Sequence, residues 1–176
     1  MRPSKCYSRS VLNCQVSEPS PAHLILPISL QVAEEKIQLT AIVDSGACSC
    51  FLDCTLARKL GVPLQIKEQQ LQVFLADGSL PSSGPVTRET YPVLTTTNSG
   101  HQELLRFDVL SSPLFPVILG LPWLQAHNPQ IDWVKKRISF SSKYCLDHCF
   151  PPGPNAPATC LAVQPAPDLP EDIPAA

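Results

Sequence analysis

The chain has no long apolar run. Its longest apolar stretches, such as His23 to Leu30, contain Pro27 and fall far short of the ~20 residues that a membrane-spanning helix needs. The start, Met1-Arg2-Pro3-Ser4-Lys5-Cys6, has no signal-peptide apolar core. The expectation is therefore a cytoplasmic, non-secreted chain in reducing surroundings, with no membrane partner. Net charge is lacking too. Thirteen Lys and Arg against 15 Asp and Glu leave −2, which excludes a broad electrostatic footprint for nucleic acid. The one basic run, Lys135-Lys136-Arg137, reads as a solvated hairpin turn. There is no glycine-rich phosphate loop. His23, His101, His127 and His148 are scattered, with no Ser or Cys at catalytic spacing, and no cofactor is expected.

What is abundant lies mostly at the ends. The 20 prolines gather there and suggest an ordered middle with extended flanks. The eight cysteines fall early (Cys6, Cys14), just past residue 47 (Cys48, Cys50, Cys54) and late (Cys145, Cys149, Cys160). In reducing surroundings a disulfide framework is a poor reading. The spacing Cys145-x2-His148-Cys149-x10-Cys160 fits no standard zinc knuckle or ribbon. The cysteines read as free thiols, some buried as small hydrophobes, Cys48 among them, and no metal site is expected.

The informative stretch is Ala41-Ile42-Val43-Asp44-Ser45-Gly46-Ala47. An apolar run leads directly into an acid, a hydroxyl and a glycine. This is a buried strand ending in a tight turn that presents one carboxylate and an open backbone. Asp-Ser-Gly is also ordinary turn chemistry, so the stretch alone leaves both readings open. A carboxylate leaving a buried strand needs a partner. If that partner is a second copy of itself, the two share one proton, one acting as base toward water and the other as acid toward a carbonyl.

Along the chain, 1–22 is an irregular linker and order begins near His23. Leu24–Leu30 and Ile37–Val43 form a hairpin, with Pro27 pushing the first strand toward an edge. A helix follows around 51–60, capped by Ser49 or Asp53 and stopped by Gly61. Leu71–Ala76 and Val86–Leu94 are strands of a second hairpin with a long tip. Glu103–Leu110 is a further strand. Val117-Ile118-Leu119-Gly120 is an apolar strand and a glycine, and Pro122 opens a helix that stops near His127. Ile131–Trp133 and Arg137–Phe140 close the ordered part as a hairpin. Trp123 and Trp133 read as core or interface anchors. Residues 142–176 read as a Cys/Pro-rich disordered tail.

The pair Ile42-Val43-Asp44-Ser45-Gly46-Ala47 and Ile118-Leu119-Gly120, with a hairpin between them, resembles the retropepsin-like aspartic proteases. With Leu121-Pro122-Trp123-Leu124 and Ile131-Asp132-Trp133 it looks most like the protease of gypsy-type LTR retrotransposon Gag-Pol polyproteins and their domesticated derivatives. The resemblance covers roughly residues 23–141.

It implies a mostly β, half-barrel acid-protease fold with one or two short helices, homodimeric when active. Asp44 would be the catalytic carboxylate, and Ser45, Gly46 and Ala47 the active-site loop. Ala76, Asp77, Gly78 and Ser79 would form a flap, although Pro81 stands where many retroviral flaps carry glycines. Ile118, Leu119 and Gly120 would thread beside the loop. Only one Asp-Ser-Gly occurs, so a dyad needs a homodimer. The implied activity is endopeptidase hydrolysis of an extended peptide, within a retroelement polyprotein whose linkers the Pro-rich ends resemble. Retroviral enzymes often pair an acid and an arginine where this chain has Cys48 and Leu121. Both partners are absent together, so neither charge is stranded. The rival reading keeps the fold as a catalytically silent interaction or assembly module.

Overall fold

The computed structural model describes residues 23–81 and 83–150, so the expected linker at 1–22 and the tail from 151 lie outside the described residues. The elements are β1 (Ile25–Val32), β2 (Glu35–Val43), β3 (Phe51–Asp53), α1 (Cys54–Leu60), β4 (Leu64–Leu71), β5 (Val86–Thr90) and β6 (Val93–Thr97). They continue as β7 (Gln102–Leu105), β8 (Asp108–Leu110), β9 (Val117–Leu119), α2 (Leu121–His127), β10 (Gln130–Asp132), β11 (Arg137–Ser139) and α3 (Lys143–His148). The fold is mostly β with three short helices among the described residues.

β1 and β2 pair antiparallel from Ile25↔Ile42 to Val32↔Glu35. Leu26, Ile28 and Leu30 alternate inward along β1 and are buried. β1 is not an edge strand, because β6 pairs with it on its other side. The β6 ladder covers only Ile28–Leu30, so Pro27 needs a partner on one side alone. A proline without an N–H is tolerated there for that reason.

Nine strands form one sheet in the order β4-β5-β8-β3-β9-β2-β1-β6-β7. β9 is inserted between β2 and β3, which are neighbours in sequence. It runs parallel to β2 through Ile42↔Ile118 and Val43↔Leu119, and antiparallel to β3 through Phe51↔Ile118 and Leu52↔Val117. The loop 44–50 therefore wraps around the end of β9. Leu30, Ala41, Leu52, Phe107, Val117 and Leu119, each at most 1% exposed, form the centre of the core.

Helix boundaries follow from their caps. Asp53 ends β3 and caps α1, its Oδ1 accepting from the N–H groups of Thr55 at 3.0 Å and Leu56 at 2.9 Å. Its other oxygen accepts from the Ser112 N–H at 2.9 Å, which ties the helix start to the loop after β8. Gly61 closes α1 at φ 66°.

Four expectations need correcting. The strand expected at Leu71–Ala76 lies earlier, at Leu64–Leu71, because the polar stretch Gln65–Gln70 pairs with β5 across a register shift between Ile66 and Leu71. Val86–Leu94 is two strands, since Tyr91-Pro92 breaks it and the halves join different neighbours. Glu103–Leu110 splits likewise into β7 and β8. Finally, the tail does not begin at 142. Ser142 caps α3 through Cys145 N–H, and Cys145 and Cys149 are buried in the core cluster.

Candidate active site

β2 is buried at Ala41 and Ile42, and the chain emerges at Asp44. Asp44, Ser45 and Gly46 are exposed and Ala47 is half-buried. The turn is held by backbone. Asp44 N–H donates to Leu119 O at 2.9 Å, and Ala47 N–H donates to Asp44 O at 3.2 Å. The carboxylate is aimed by its own loop, since Oδ1 accepts from the Gly46 N–H at 2.8 Å. A Cβ on Gly46 would stand 3.2 Å from that same oxygen, so a side chain there would crowd it.

Gly120 explains the second motif. A Cβ at this position would lie 2.1 Å from Ser49 O and 2.7 Å from Ala47 O. Only glycine lets β9 end this close under the loop. Immediately after it, Leu121 N–H donates to Ala47 O at 2.8 Å. Asp44, Ala47, Leu119 and Gly120 are thus brought together. The Ser45 side chain makes no hydrogen bond among the described residues and faces outward with Asp44.

The other expected residues lie apart. Ala76–Ser79 form an exposed turn closed on itself, with Leu75 N–H donating to Ser79 O and Gly78 N–H to Leu75 O, both at 2.8 Å. Asp77 accepts from the Ser79 hydroxyl and N–H, and these bonds lower its carboxyl pKa. Trp123 is buried, whereas Trp133 is exposed. Cys48, expected as a small buried hydrophobe, is exposed, because the loop turns outward between Asp44 and β3. Two recesses lie elsewhere, one between α1, β5 and β8 and one on the polar face of β4. Asp44 itself is exposed within the single chain.

Sequence reasoning missed a polar network behind this loop. Ser49 Oγ donates to Asp108 Oδ2 at 2.7 Å, and Lys67 Nζ reaches Asp108 at 2.5 Å and Glu89 at 3.0 Å. Gln65 and Arg106 also bond Glu89. The residues come from the loop, β4, β5 and β8, so no local spacing announces them. Ser49 of this loop is thereby tied to an ion-paired aspartate.

Sheet order, the β9 insertion and the glycine under the acid-bearing loop define a retropepsin-like, acid-protease fold. Within that class, residues 40–149 match the family model described as the PEG10/RTL1 protease domain. The match spans well over half of the chain, and the chain belongs to this family of retrotransposon-derived protease domains. Among solved structures it is similar to the retroviral protease-like domain of Ddi1 from Leishmania major, at 17% identity and a TM-score of 0.45, over 69% of this chain and 95% of that one. Among the described residues no helix is long and apolar enough to cross a membrane.

Proposed function

We propose that the chain is an aspartic endopeptidase that works as a homodimer. The observation behind this reading is the Asp44 carboxylate, exposed at the end of a buried strand and aimed by the Gly46 N–H over a strand that only Gly120 lets approach. A rigid strand end supplies the positioning that acid–base chemistry needs. The chain carries one such acid, so a second copy supplies the other across a twofold axis.

In the dimer the two Asp44 side chains share one proton. The ionised one takes a proton from water, and the protonated one donates to the scissile carbonyl. Ser45 steadies the facing loop, the Gly46 carbonyl accepts from the substrate backbone, and Ala47 floors the cleft. The substrate enters as an extended strand, read through main-chain bonds and alternating pockets. The turn at 76–79 folds over it and excludes water. The substrate class is a retroelement-type polyprotein with exposed, extended linkers.

The test is cleavage of an extended peptide library at acid pH, with and without a pepstatin-type inhibitor, by the wild type and Asp44→Asn. The expected loss is roughly 10³-fold or more with unchanged folding. Molecular mass in solution should report a dimer under assay conditions. Cleavage that survives Asp44→Asn, or that belongs to a strict monomer, would remove the assignment. No cleavage by either protein, with equal binding of a partner, would favour a silent assembly module.

A further inference from the structure

Four side chains that the reaction does not use converge in the core. His101 lies in the turn before β7, His127 ends α2, Cys145 lies on α3, and Cys149 caps its end. All four are buried, and one potential ligand atom from each lies within 4.8 Å of the others. His101 Nε2 is 3.3 Å from His127 Nδ1, and that same nitrogen is 3.4 Å from Cys145 Sγ and 3.7 Å from Cys149 Sγ.

We propose that His101, His127, Cys145 and Cys149 form a structural zinc site. A tetrahedral ion with Zn–N and Zn–S bonds of ordinary length separates its ligands by about 3.3 Å for N···N and about 3.6 Å for N···S. The three separations above lie close to those values, and the remaining pairs stay within 4.8 Å. The outer partners agree as well. His127 Nε2 is 2.9 Å from Glu103 Oε2, and Trp123 Nε1 donates to Glu103 Oε1 at 2.6 Å. A carboxylate holding one imidazole N–H leaves a lone pair on Nδ1 aimed at the quartet, which is how metal-bound histidines are oriented.

Hydrogen bonding alone serves these groups poorly. His101 Nε2 and both thiols compete for the single lone pair on His127 Nδ1; Cys145 has the His127 carbonyl at 3.4 Å as a second acceptor, and Cys149 has the Cys145 sulfur. His101 Nδ1 is buried with no partner. One long N–H···N bond is a small return for burying that ring. A metal bond at Nε2 is a large one. Binding converts each ligating thiol to a thiolate and releases its proton to solvent, with no change of oxidation state. Four buried protein ligands leave no open position for water, so the role is to fasten α3 to α2 and β7.

The test uses the full chain, purified under reducing, anaerobic conditions, with Zn2+ and Co2+ as probes. Elemental analysis should find one zinc per chain. Co2+ should give the intense visible bands of a tetrahedral site and thiolate-to-metal charge transfer in the near ultraviolet. Cys145→Ser and Cys149→Ser should lose the charge-transfer intensity, whereas His148→Ala and Asp44→Asn should keep the metal. The His148 substitution separates this quartet from the sequence spacing Cys145-x2-His148-Cys149, and Asp44→Asn separates the site from proteolysis. Glu103→Gln should weaken zinc roughly 10- to 100-fold. Chelation should lower the melting temperature of the wild type, and added Zn2+ should restore it. A wild-type chain that takes up neither ion tetrahedrally, or a Cys145→Ser protein that binds as well, overturns the site. A Cys145–Cys149 disulfide in the reduced preparation does the same.

Discussion

The loop around Asp44 and the quartet around His127 sit at opposite ends of the same seven-residue helix, α2, about 10 Å long. At its start, Leu121 N–H holds Ala47 O, and at its end His127 meets two thiols and a second imidazole. The first region is open and polar, and the function proposed for it needs a second copy. The second is closed, buried and complete within one chain. An exposed acid that backbone holds still is suited to act on something arriving from outside. A buried set of ligands with no free position is suited to hold the chain together. Residue type alone does not separate these roles, since acids, thiols and imidazoles occur in both; burial and completeness do.

The largest effect on stability is expected where the two regions join. Gly120→Ala would put a Cβ 2.1 Å from Ser49 O and 2.7 Å from Ala47 O, both backbone atoms that cannot swing aside. Either β9 or the loop must shift, at a cost of roughly 3 kcal/mol or more. Chemical denaturation should show the loss, and the proposed peptidase activity should vanish with it. The comparison with Cys145→Ser is then informative, since that change releases only the far end of α2. An alanine variant as stable as the wild type would mean that β9 does not thread this closely under the loop.

How much of this was legible in the sequence follows the same division. Asp44-Ser45-Gly46 and Ile118-Leu119-Gly120 are short, contiguous blocks, and each carries its reason locally: an apolar run, then a residue that must turn or make way. Their meeting through β2 and β9 could be read because the resemblance supplied the topology. The first hairpin, α1 with its Asp53 cap, and the closing hairpin were readable from alternation and capping. β4 was not, because Gln65–Gln70 is polar and is a strand only by virtue of pairing with β5. The quartet was not readable either. Cys145 and Cys149, four apart, fall on one face of a helix, but His101 comes from the turn before β7 and His127 from the end of α2, and the helix itself lay where a tail was expected.

A smaller effect tests whether the loop is braced from the side away from the quartet. Lys67→Met leaves the buried Asp108 with Ser49 alone and should cost about 1–3 kcal/mol, with zinc content unchanged. The difference between variant and wild type should also depend on pH. Bonds from Gln65 and then Lys67 lower the Glu89 pKa, so its contribution is full above the ordinary glutamate range and fades as pH falls through its lower folded value. Burial pulls the Lys67 ammonium down, but bonds to Asp108 and Glu89 outweigh it and leave its pKa raised. Its contribution is full below the ordinary lysine value and is lost as pH rises through the folded one. The stability gap should therefore be widest near neutral pH and narrow at both ends. A gap that is flat from strong acid to strong base would show that the network does not couple to folding.

The smallest effect concerns the exposed turn at 76–79, which is closed by its own hydrogen bonds. Gly78 has φ 82°, and a Cβ there would meet nothing within 4 Å. Gly78→Ala therefore costs only backbone strain, about 1 kcal/mol, in an exposed turn. Equilibrium stability should barely move. If the turn closes over substrate, the variant should nonetheless lose several-fold in kcat/KM on an extended peptide, because the strained turn no longer packs down in the same conformation. That outcome would attach the turn to Asp44 as part of the working face. Unchanged kinetics with unchanged stability would make it a surface turn with no part in the proposed working face.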